Sequence, residues 1–281
     1  MLSRVLVTGA AGLIGRAVLA RCAAEDVPVT ALVLEDPGDL KADRVVVGDA
    51  GDPEAVRRAL EGVEAVIHLA AIPSPNDNPP LEVYLNNTAA TFAVLDGAGR
   101  AGVRRAVIAS SLSVLGMPFS PHGLEPAYLP VDEAHPLLAA DPYALSKEAD
   151  ESTARMIHRL HGMSVVALRF PFVGGPEDRL PERAADFAAE PARGAIDLWA
   201  YLDSRDAATA CWLSVTRPID GSHVLFVAAP DTIAPLPTEE LVRHFLPRSP
   251  LRAALPGRVV PIDVTEARRV LGFEAEHLYQ L

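Results

Sequence analysis

The sequence has few cysteines, the residues that form disulfide cross-links and often bind zinc. It contains 2 cysteines among 281 residues, Cys22 and Cys211, and neither has a CxxC or Cys/His spacing. A disulfide framework and a zinc site are therefore not predicted. Cys22 lies in a helical pattern and is interpreted as a small buried hydrophobic residue. We predict no metal site of any kind.

Long apolar runs and positive charge are also scarce. No stretch approaches the roughly 20 apolar residues that a membrane-spanning helix needs. No leader precedes the first strand pattern, so we expect a cytoplasmic protein. Lysine and arginine number 25 against 37 aspartates and glutamates, which gives a net charge of -12. Such an acidic surface repels phosphate backbones and anionic lipid, so neither nucleic acid nor a membrane is a predicted partner.

Apolar residues are abundant, at 49% of the chain, and they follow an alternating pattern. Short apolar runs typical of buried parallel strands alternate with segments of helical period. Such alternation predicts βαβ units and hence an α/β fold, a Rossmann-type doubly wound parallel sheet. The predicted strands are 4–8, 29–34, 44–47, 65–69, 106–109, 164–169 and 223–228. The predicted helices are 13–25, 53–60, 81–101, 143–161, 205–216, 238–246 and 264–271.

The pattern weakens after Pro171, and prolines between 118 and 142 and between 230 and 261 indicate ordered loops. The last third is too short to fold alone. We therefore predict one domain over residues 1–281, in which 1–170 is mainly a dinucleotide-binding core and 171–281 mainly a small substrate-binding cap.

A glycine-rich turn joins the first predicted strand to the first predicted helix. Glycines at such a turn let the backbone approach a pyrophosphate, whose charge the N–H groups and the dipole of the helix N-terminus stabilise. The context that the motif requires, a strand before it and a helix after it, is met. The predicted cofactor contacts here are Thr8, Gly9, Gly12, Leu13, Ile14 and Gly15.

The choice between NAD and NADP depends on the end of the second strand. An acid there binds the adenosine ribose of NAD, whereas a nearby arginine accommodates the 2′-phosphate of NADP. Val33 and Leu34 are uncharged, but Glu35 and Asp36 follow and would repel a 2′-phosphate, which favours NAD. Asp49, after the third strand, is interpreted either as an adenine contact or as a turn aspartate.

Tyr143 and Lys147 are four residues apart in a predicted helix, so both side chains project from one face. A phenol has a pKa of about 10 in water, which makes it a poor acid–base group at neutral pH. A neighbouring ammonium favours the phenolate. Ser111 ends a predicted strand, where α/β sheets place ligands, and its hydroxyl can bind a substrate oxygen.

With these elements in this order, the sequence resembles the extended short-chain dehydrogenase/reductases, the NAD-dependent epimerase/dehydratase family, over nearly its whole length. The matching pieces are TGxxGxxG at 8–15, Gly48-Asp49, His68-Leu69-Ala70-Ala71, Asn87 to Thr91, Ser110-Ser111 with Gly116, YxxxK at 143–147, Leu168-Arg169, Asp206-Ala207-Ala208 and Leu271-Gly272-Phe273.

The resemblance implies a role for each matching residue. Tyr143 is the expected acid–base, Lys147 its modulator and ribose contact, and Ser111 the group that polarises the substrate oxygen. Asn87 is expected to help hold the cofactor side of the site. Further implied cofactor contacts are Asp49, Ala50, Leu69, Ala70, Ala71 and Phe170. A homodimer through helices 81–101 and 143–161 is also expected by resemblance.

The predicted substrate contacts are Ser111, Leu112, Tyr143, Phe172 and Trp199. Nucleotide-sugar members of the family usually have Asn and Arg where this chain has Phe172 and Trp199. An aromatic ring cannot supply the charge-assisted hydrogen bonds that a diphosphate requires, which favours a smaller, less charged substrate. Alternatively, both aromatic residues are packing, and Arg179, Arg183 or Arg193 binds a phosphate.

Two other residues and two loops complete the predicted site. His68 is interpreted as a buried structural histidine and Ser113 as a surface serine. The loop 72–80 is a predicted pocket wall. The loop 117–140 is either a second wall or a rigid proline-rich connection.

The leading hypothesis is an NAD(P)-dependent oxidoreductase that interconverts a secondary alcohol and a ketone or lactone on a small, sugar-like substrate. Tyr143 would take the hydroxyl proton. One alternative is a sugar or nucleotide-sugar epimerase/dehydratase with the same Ser-Tyr-Lys triad and a tightly held cofactor. The other is a non-catalytic cofactor sensor, against which the intact triad argues.

Overall fold

A seven-stranded parallel sheet is the central layer of the computed structural model, which describes residues 2–175, 177 and 179–281. Met1, Pro176 and Asp178, all within the predicted domain, lie outside the described residues. The strands are β1 (Val5–Thr8), β2 (Val29–Val33), β3 (Arg44–Val47), β4 (Ala65–His68), β5 (Arg105–Ser111), β6 (Ser164–Phe170), β7 (Phe172–Gly174), β8 (Tyr201–Asp203) and β9 (Ser222–Phe226). The sheet order is β3-β2-β1-β4-β5-β6-β9, and β7 and β8 pair separately.

Helices cover both faces of this sheet. The helices of the described residues, including those that lie away from the sheet, are α1 (Leu13–Ala24), α2 (Pro53–Ala59), α3 (Pro80–Arg100), α4 (Pro142–His161), α5 (Arg179–Ala189), α6 (Ser204–Thr216), α7 (Thr238–Phe245) and α8 (Thr265–Leu271). Short 3-10 helices lie at Leu112–Leu115 and Pro191–Asp197. Of the described helices, none combines the length and the apolar content that crossing a bilayer requires.

The two faces of β1 show why the strands are apolar throughout. Val5 and Val7 belong to a core cluster that includes residues of α1 and α6. Leu6, between them, belongs to a second cluster with residues of α2, α3 and α4. Because side chains alternate across a strand, a strand covered on both faces needs apolar residues at every position. The predicted doubly wound α/β fold is confirmed.

The strand order places the ligand-binding edge of the sheet. The chain proceeds from β1 outward to β2 and β3, then returns to β4 on the other side of β1. Connections from adjacent strands therefore leave in opposite directions at the carboxyl ends of β1 and β4. Open α/β sheets bind ligands in the crevice formed at such a reversal.

A third core cluster lies beyond the main sheet and joins the 3-10 helix Leu112–Leu115 to α5, α7 and the β8 region. This is the part of the molecule that the sequence predicts as a cap. Three later elements do not belong to it, because β9 pairs with β6, and α6 and α8 pack in the same core cluster as α1. The main sheet and its covering helices therefore include parts of the chain after residue 170, and the division into a core and a cap stays a prediction.

Candidate functional site

A cleft of about 1280 Å³ runs along the carboxyl ends of the central strands. Most of the side chains and turns predicted to form the site line it. They are Gly9, Gly12, Leu13, Ile14, Gly15, Asp49, Ala50, Leu69, Ala70, Ala71, Ser111, Leu112, Tyr143, Lys147, Phe170 and Phe172. Three other predicted contacts, Thr8, Asn87 and Trp199, lie behind the walls of the cleft.

The glycine turn leaves no room for side chains between β1 and α1. Gly9 has a φ of +65°, and a Cβ there would lie 2.7 Å from the Ala70 nitrogen. A Cβ on Gly15 would lie 2.3 Å from the Gly9 carbonyl oxygen. Among the described residues, no side chain caps α1 at Gly12, and its first turn holds no acidic residue. A helix N-terminus left open in this way, beside a backbone without side chains, suits the pyrophosphate of a dinucleotide.

Thr8 holds this turn against the turn after β4 and is not a cofactor contact. Its fully buried hydroxyl accepts hydrogen bonds from the N–H groups of Leu69 and Ala70, both at 3.2 Å. It also lies 2.7 Å from Nδ1 of His68. Since these partners occupy the hydroxyl, the prediction of a direct cofactor contact is corrected to a role in positioning both turns.

His68 is the buried structural histidine that the sequence predicts. Its other ring nitrogen lies 3.1 Å from the Thr91 hydroxyl, and the residue is 3% exposed. Burial is the main reason why the pKa of His68 is lowered to about 3, with the Lys147 charge as a further cause. The imidazole is therefore neutral at physiological pH.

Acidic residues line the end of the cleft beyond β2. Glu35 and Asp36 both lie in its wall. A nearby cation, Arg16, is paired with Asp39 at 2.8 Å. Asp49 lines the cleft, and its Oδ1 accepts a hydrogen bond from the Gly51 N–H at 2.8 Å, as a turn aspartate does; its contact with adenine stays a prediction.

The start of α4 delivers Tyr143 and Lys147 to the middle of the cleft. Asp141 caps this helix by accepting a hydrogen bond from the Ala144 N–H at 2.9 Å, and Pro142 follows at the first helical position. The Lys147 ammonium lies 5.8 Å from the centre of the Tyr143 ring. Lys147 is 4% exposed, so little water screens its charge from the phenol.

Ser111 reaches the same part of the cleft from the end of β5. Its hydroxyl donates to the Ser113 hydroxyl at 3.0 Å and accepts from the Ser113 N–H at 3.1 Å. Ser113 is 4% exposed and lines the cleft, so its interpretation as a surface serine is wrong. The 3-10 turn that follows β5 folds Ser113 back toward Ser111, a geometry that the residue types do not reveal.

Asn87 supports the site from α3 and does not line the cleft. Its Oδ1 accepts from the Ile72 N–H at 2.8 Å, and its Nδ2 donates to the Ile72 carbonyl and to the Ser146 hydroxyl, both at 3.1 Å. The Ser146 hydroxyl in turn donates to the Tyr143 carbonyl at 2.7 Å. With its amide occupied in this way, Asn87 fixes the loop after β4 against α4 rather than touching a ligand.

The far end of the cleft is built from an aromatic ring and two arginines. The Arg183 and Arg179 guanidinium carbons lie 4.2 and 4.7 Å from the centre of the Phe172 ring. Arg183 is paired with Asp197 at 2.9 Å. Burial raises the pKa of Asp197 to about 7, although the Arg183 charge opposes the shift. No local signal marks Asp197, which the sequence prediction missed.

Trp199 does not contact a substrate. The side chain is fully buried, and its Nε1 donates to the Pro191 carbonyl at 2.7 Å. Its ring lies 6.3 Å from that of Phe245. The packing alternative therefore holds for this residue, and Ile196 and Asp197 form the cleft wall in its place.

Two loops complete the walls. Ile72, Pro73 and Ser74 line the cleft from the loop after β4. Of the loop 117–140, only Pro118 and Phe119 are among the described lining residues. Other residues of this loop make hydrogen bonds within the protein; for example, Tyr128 donates to Asp132 at 2.6 Å and Glu133 accepts from the Phe226 N–H at 2.8 Å. Within the part of the chain that the structure describes, no group of three or more His, Cys, Asp or Glu residues could hold a metal ion.

Comparisons with known proteins identify the family and the relatives to which this chain is similar. The profile of the NAD dependent epimerase/dehydratase family matches residues 5–228. The chain is 34% identical over 184 residues to UDP-glucose 4-epimerase of Azospirillum brasilense. The matched region covers 62% of this chain and 50% of the epimerase. It is 33% identical over 177 residues to NAD-dependent glucose-6-phosphate dehydrogenase of Haloferax volcanii, which covers 59% of this chain and 66% of the dehydrogenase. The chain thus spans about half the length of the first relative.

A solved structure extends the similarity over nearly the whole chain. A short-chain dehydrogenase/reductase superfamily protein from Agrobacterium tumefaciens, crystallised with bound NAD, superimposes with a TM-score of 0.73 at 27% identity. The match covers 98% of this chain and 93% of that protein.

Proposed function

The chain belongs to the NAD-dependent epimerase/dehydratase family, and from that membership we propose that it is an NAD-dependent oxidoreductase that interconverts a secondary alcohol and a ketone or lactone. The proposed substrate is small and sugar-like. The observation that carries the proposal is that Ser111, Tyr143 and Lys147 line the same cleft as the open glycine turn. The family resemblance seen in the sequence is thereby confirmed, as is the prediction of an NAD-dependent enzyme.

The chain's own residues perform the proton transfer. When bound, the nicotinamide ring supplies the chemistry of accepting a hydride from the carbinol carbon. The Ser111 hydroxyl binds the substrate oxygen, and the Tyr143 phenolate accepts the proton that this oxygen loses. The Lys147 ammonium favours the phenolate. In the reverse direction Tyr143 returns the proton to the carbonyl oxygen. The glycine turn and the N-terminus of α1 would hold the pyrophosphate of the cofactor.

The substrate end of the cleft supports a small substrate without a diphosphate. Phe172 and Ile196 line this end, and Arg183 donates one hydrogen bond to Asp197, at 2.9 Å. A guanidinium that already has a carboxylate partner is a less favourable partner for a second anion. The relative from Haloferax volcanii, named for a sugar phosphate without a nucleotide, is consistent with such a substrate.

An epimerase is the second candidate. The relative from Azospirillum brasilense is named as a UDP-glucose 4-epimerase, and both reactions need the same proton transfer at Tyr143. An epimerase returns the hydride to the other face of a ketone intermediate. It therefore retains its cofactor and accumulates no reduced dinucleotide.

The test begins with native mass spectrometry of the purified protein, followed by titration with NAD and NADP. We expect an exchangeable site and NAD affinity at least about tenfold higher than that for NADP, because Glu35 and Asp36 repel a 2′-phosphate. A panel of aldoses, secondary alcohols and lactones is then assayed for NADH formation or consumption. Accumulation of NADH supports the dehydrogenase. Retained NAD with isomerised nucleotide sugar and no NADH would replace it with the epimerase, and binding of neither dinucleotide would overturn both.

We further propose that the protein is a homodimer through α3 and α4. Leu81, Leu85 and Phe92 project from one side of α3 and are 67%, 52% and 49% exposed. Leu145 and Leu160 of α4 are 48% and 59% exposed. Several large apolar side chains exposed on two adjacent helices indicate an interaction surface.

Replacing Leu85 and Phe92 together by Glu is expected to convert the dimer to a monomer, because four buried charges would replace apolar contacts across a twofold interface. Sedimentation equilibrium measures the mass. Leu278→Glu is the control, since Leu278 is 46% exposed but lies in the C-terminal segment. A wild-type protein that is monomeric at micromolar concentration, or a double variant that stays dimeric, would show that this face is not the interface.

A further inference from the structure

Lys147 has a buried partner that the proposed reaction does not use. The Asp150 Oδ2 atom lies 3.3 Å from the Lys147 ammonium, and the two side chains are 1% and 5% exposed. The residues are three apart on α4, so both project toward the interior side of the same helix. Lys147 is one of two lysines in the sequence; the other, Lys41, is exposed.

Among the described groups around Asp150, Lys147 is the cation that pairs with the carboxylate. Among the described residues, the second Asp150 oxygen is buried without a hydrogen bond. The Thr91 hydroxyl of α3 lies beside the carboxylate and His68 of β4 lies beyond it, but the histidine is neutral. Glu151, the next residue of α4, is held by Arg169 at 2.8 and 2.9 Å.

Neither the Asp150 carboxylate nor the Lys147 ammonium is stable in its charged form at this buried position without the other. Burial raises the pKa of Asp150, and the Lys147 charge opposes that shift. A buried carboxylate or ammonium without a partner tends to lose its charge. Removing one partner of a buried pair therefore leaves the other unpaired and shifts its protonation.

We propose that Asp150 is a positioning residue for Lys147: the Asp150 carboxylate keeps the Lys147 ammonium charged and fixes it beside Tyr143. The inference rests on the proposed function, because the action of Lys147 on Tyr143 is part of that function. Asp150 also places a negative charge next to the Tyr143–Lys147 pair. Among the described residues, the charged groups that act on the Asp150 carboxylate are Lys147 and Glu151, the latter paired with Arg169.

Removing the carboxylate charge is expected to have two effects with one origin. The Tyr143–Lys147 pair loses its first proton at lower pH, because a nearby negative charge is gone. Without the carboxylate, this first proton comes more often from the desolvated Lys147 ammonium than it does in the wild type. The form with a Tyr143 phenolate and a charged Lys147 is therefore less populated. The acid limb of the pH–rate profile then moves to lower pH while kcat at its plateau falls.

The experiment uses Asp150→Asn, which keeps the shape and the acceptor oxygen but removes the charge. Isotopically labelled lysine gives two side-chain resonances, and Lys41→Arg as a common background leaves only that of Lys147. We expect the Lys147 resonance of Asp150→Asn to titrate about one pH unit or more below that of the parent. This readout needs neither cofactor nor substrate. Thr91→Val removes a neighbouring hydroxyl without changing charge and should leave the midpoint unchanged, whereas Asp150→Glu should restore it.

The wild-type protein supplies an independent check should the Asn variant fail to fold. An ammonium held in a buried ion pair exchanges its hydrogens slowly, so the Lys147 ammonium resonance should be visible where that of exposed Lys41 is not. Equal exchange at the two lysines, or an unchanged Lys147 titration in folded Asp150→Asn, would overturn the inference. A shifted titration in a protein that oxidises no alcohol would uphold the ion pair's effect on Lys147 and overturn the proposed reaction instead.

Discussion

Tyr143→Phe is expected to lower the rate of alcohol oxidation by about 10²- to 10⁴-fold, the range typical of losing a general acid–base group. The proton of the substrate hydroxyl then loses the acceptor that Tyr143 provides, although Ser111 still binds the oxygen. The ring itself remains in place. The centre of the Phe119 ring lies 6.1 Å from the centre of the Tyr143 ring, edge-on to it, and the Lys147 ammonium lies 5.8 Å from the same centre. A phenyl ring at position 143 keeps both contacts.

The Phe variant therefore separates chemistry from folding and binding. Its thermal unfolding temperature and its affinity for NAD should match those of the wild type, while kcat falls and KM changes little. Tyr84→Phe, on α3 and outside the described lining of the cleft, is the matched control and should retain full activity. Wild-type turnover by Tyr143→Phe would remove Tyr143 from the mechanism. Absence of turnover in the wild type itself, with NAD bound, would favour the cofactor sensor.

The residues whose place in the cleft could be predicted from the sequence are those fixed by local pattern. The strand, the glycine turn and the following helix are contiguous, so Gly9 and Gly15 are recognisable from spacing alone. Tyr143 and Lys147 share a helix face for the same reason. Their presence in one cleft follows from the parallel order of the sheet, which brings the carboxyl ends of successive strands to one edge.

The failures concern side chains whose direction depends on distant partners. Leu198 and Trp199 both have positive φ, +60° and +52°, in a turn that residue preferences do not predict because bulky side chains disfavour it. This turn leads Trp199 into the core and leaves Ile196 at the cleft. Thr8 and Asn87 lie close to the cleft as expected, but backbone groups of the following turns occupy their polar atoms.

Asp150 lies between these two cases. The spacing of Lys147 and Asp150 predicts that they are neighbours on a helix, which is common on exposed helix faces and contributes little there. That both side chains are almost completely buried follows only from the packing of α3 against α4 and of α4 against the sheet. Burial, not spacing, converts an ordinary ion pair into one that can set the charge of Lys147.

Gly15→Ala is expected to lower the affinity for NAD by about 100-fold or more, the scale associated with a misplacement of about 1 Å at a binding centre. The added Cβ would lie 2.3 Å from the Gly9 carbonyl oxygen and 2.7 Å from Ala10 Cα. Both are backbone atoms of the turn that faces the cofactor, so no side chain can rotate away to make room. Either α1 or the turn must shift. The overpacking should also cost about 1–3 kcal/mol of unfolding free energy.

Calorimetric titration with NAD and thermal unfolding of the same samples separate these two effects. Gly51→Ala is the matched control, because the atoms nearest to its Cβ would be Asp49 Oδ1 at 3.4 Å and the Ala90 nitrogen at 3.9 Å, which are ordinary contact distances. Its affinity and stability should stay near those of the wild type. A Gly15→Ala protein that is less stable but binds NAD normally would show that the cofactor does not rest on this turn. The pyrophosphate would then have to be held elsewhere in the cleft, and the assignment of the α1 N-terminus would fail.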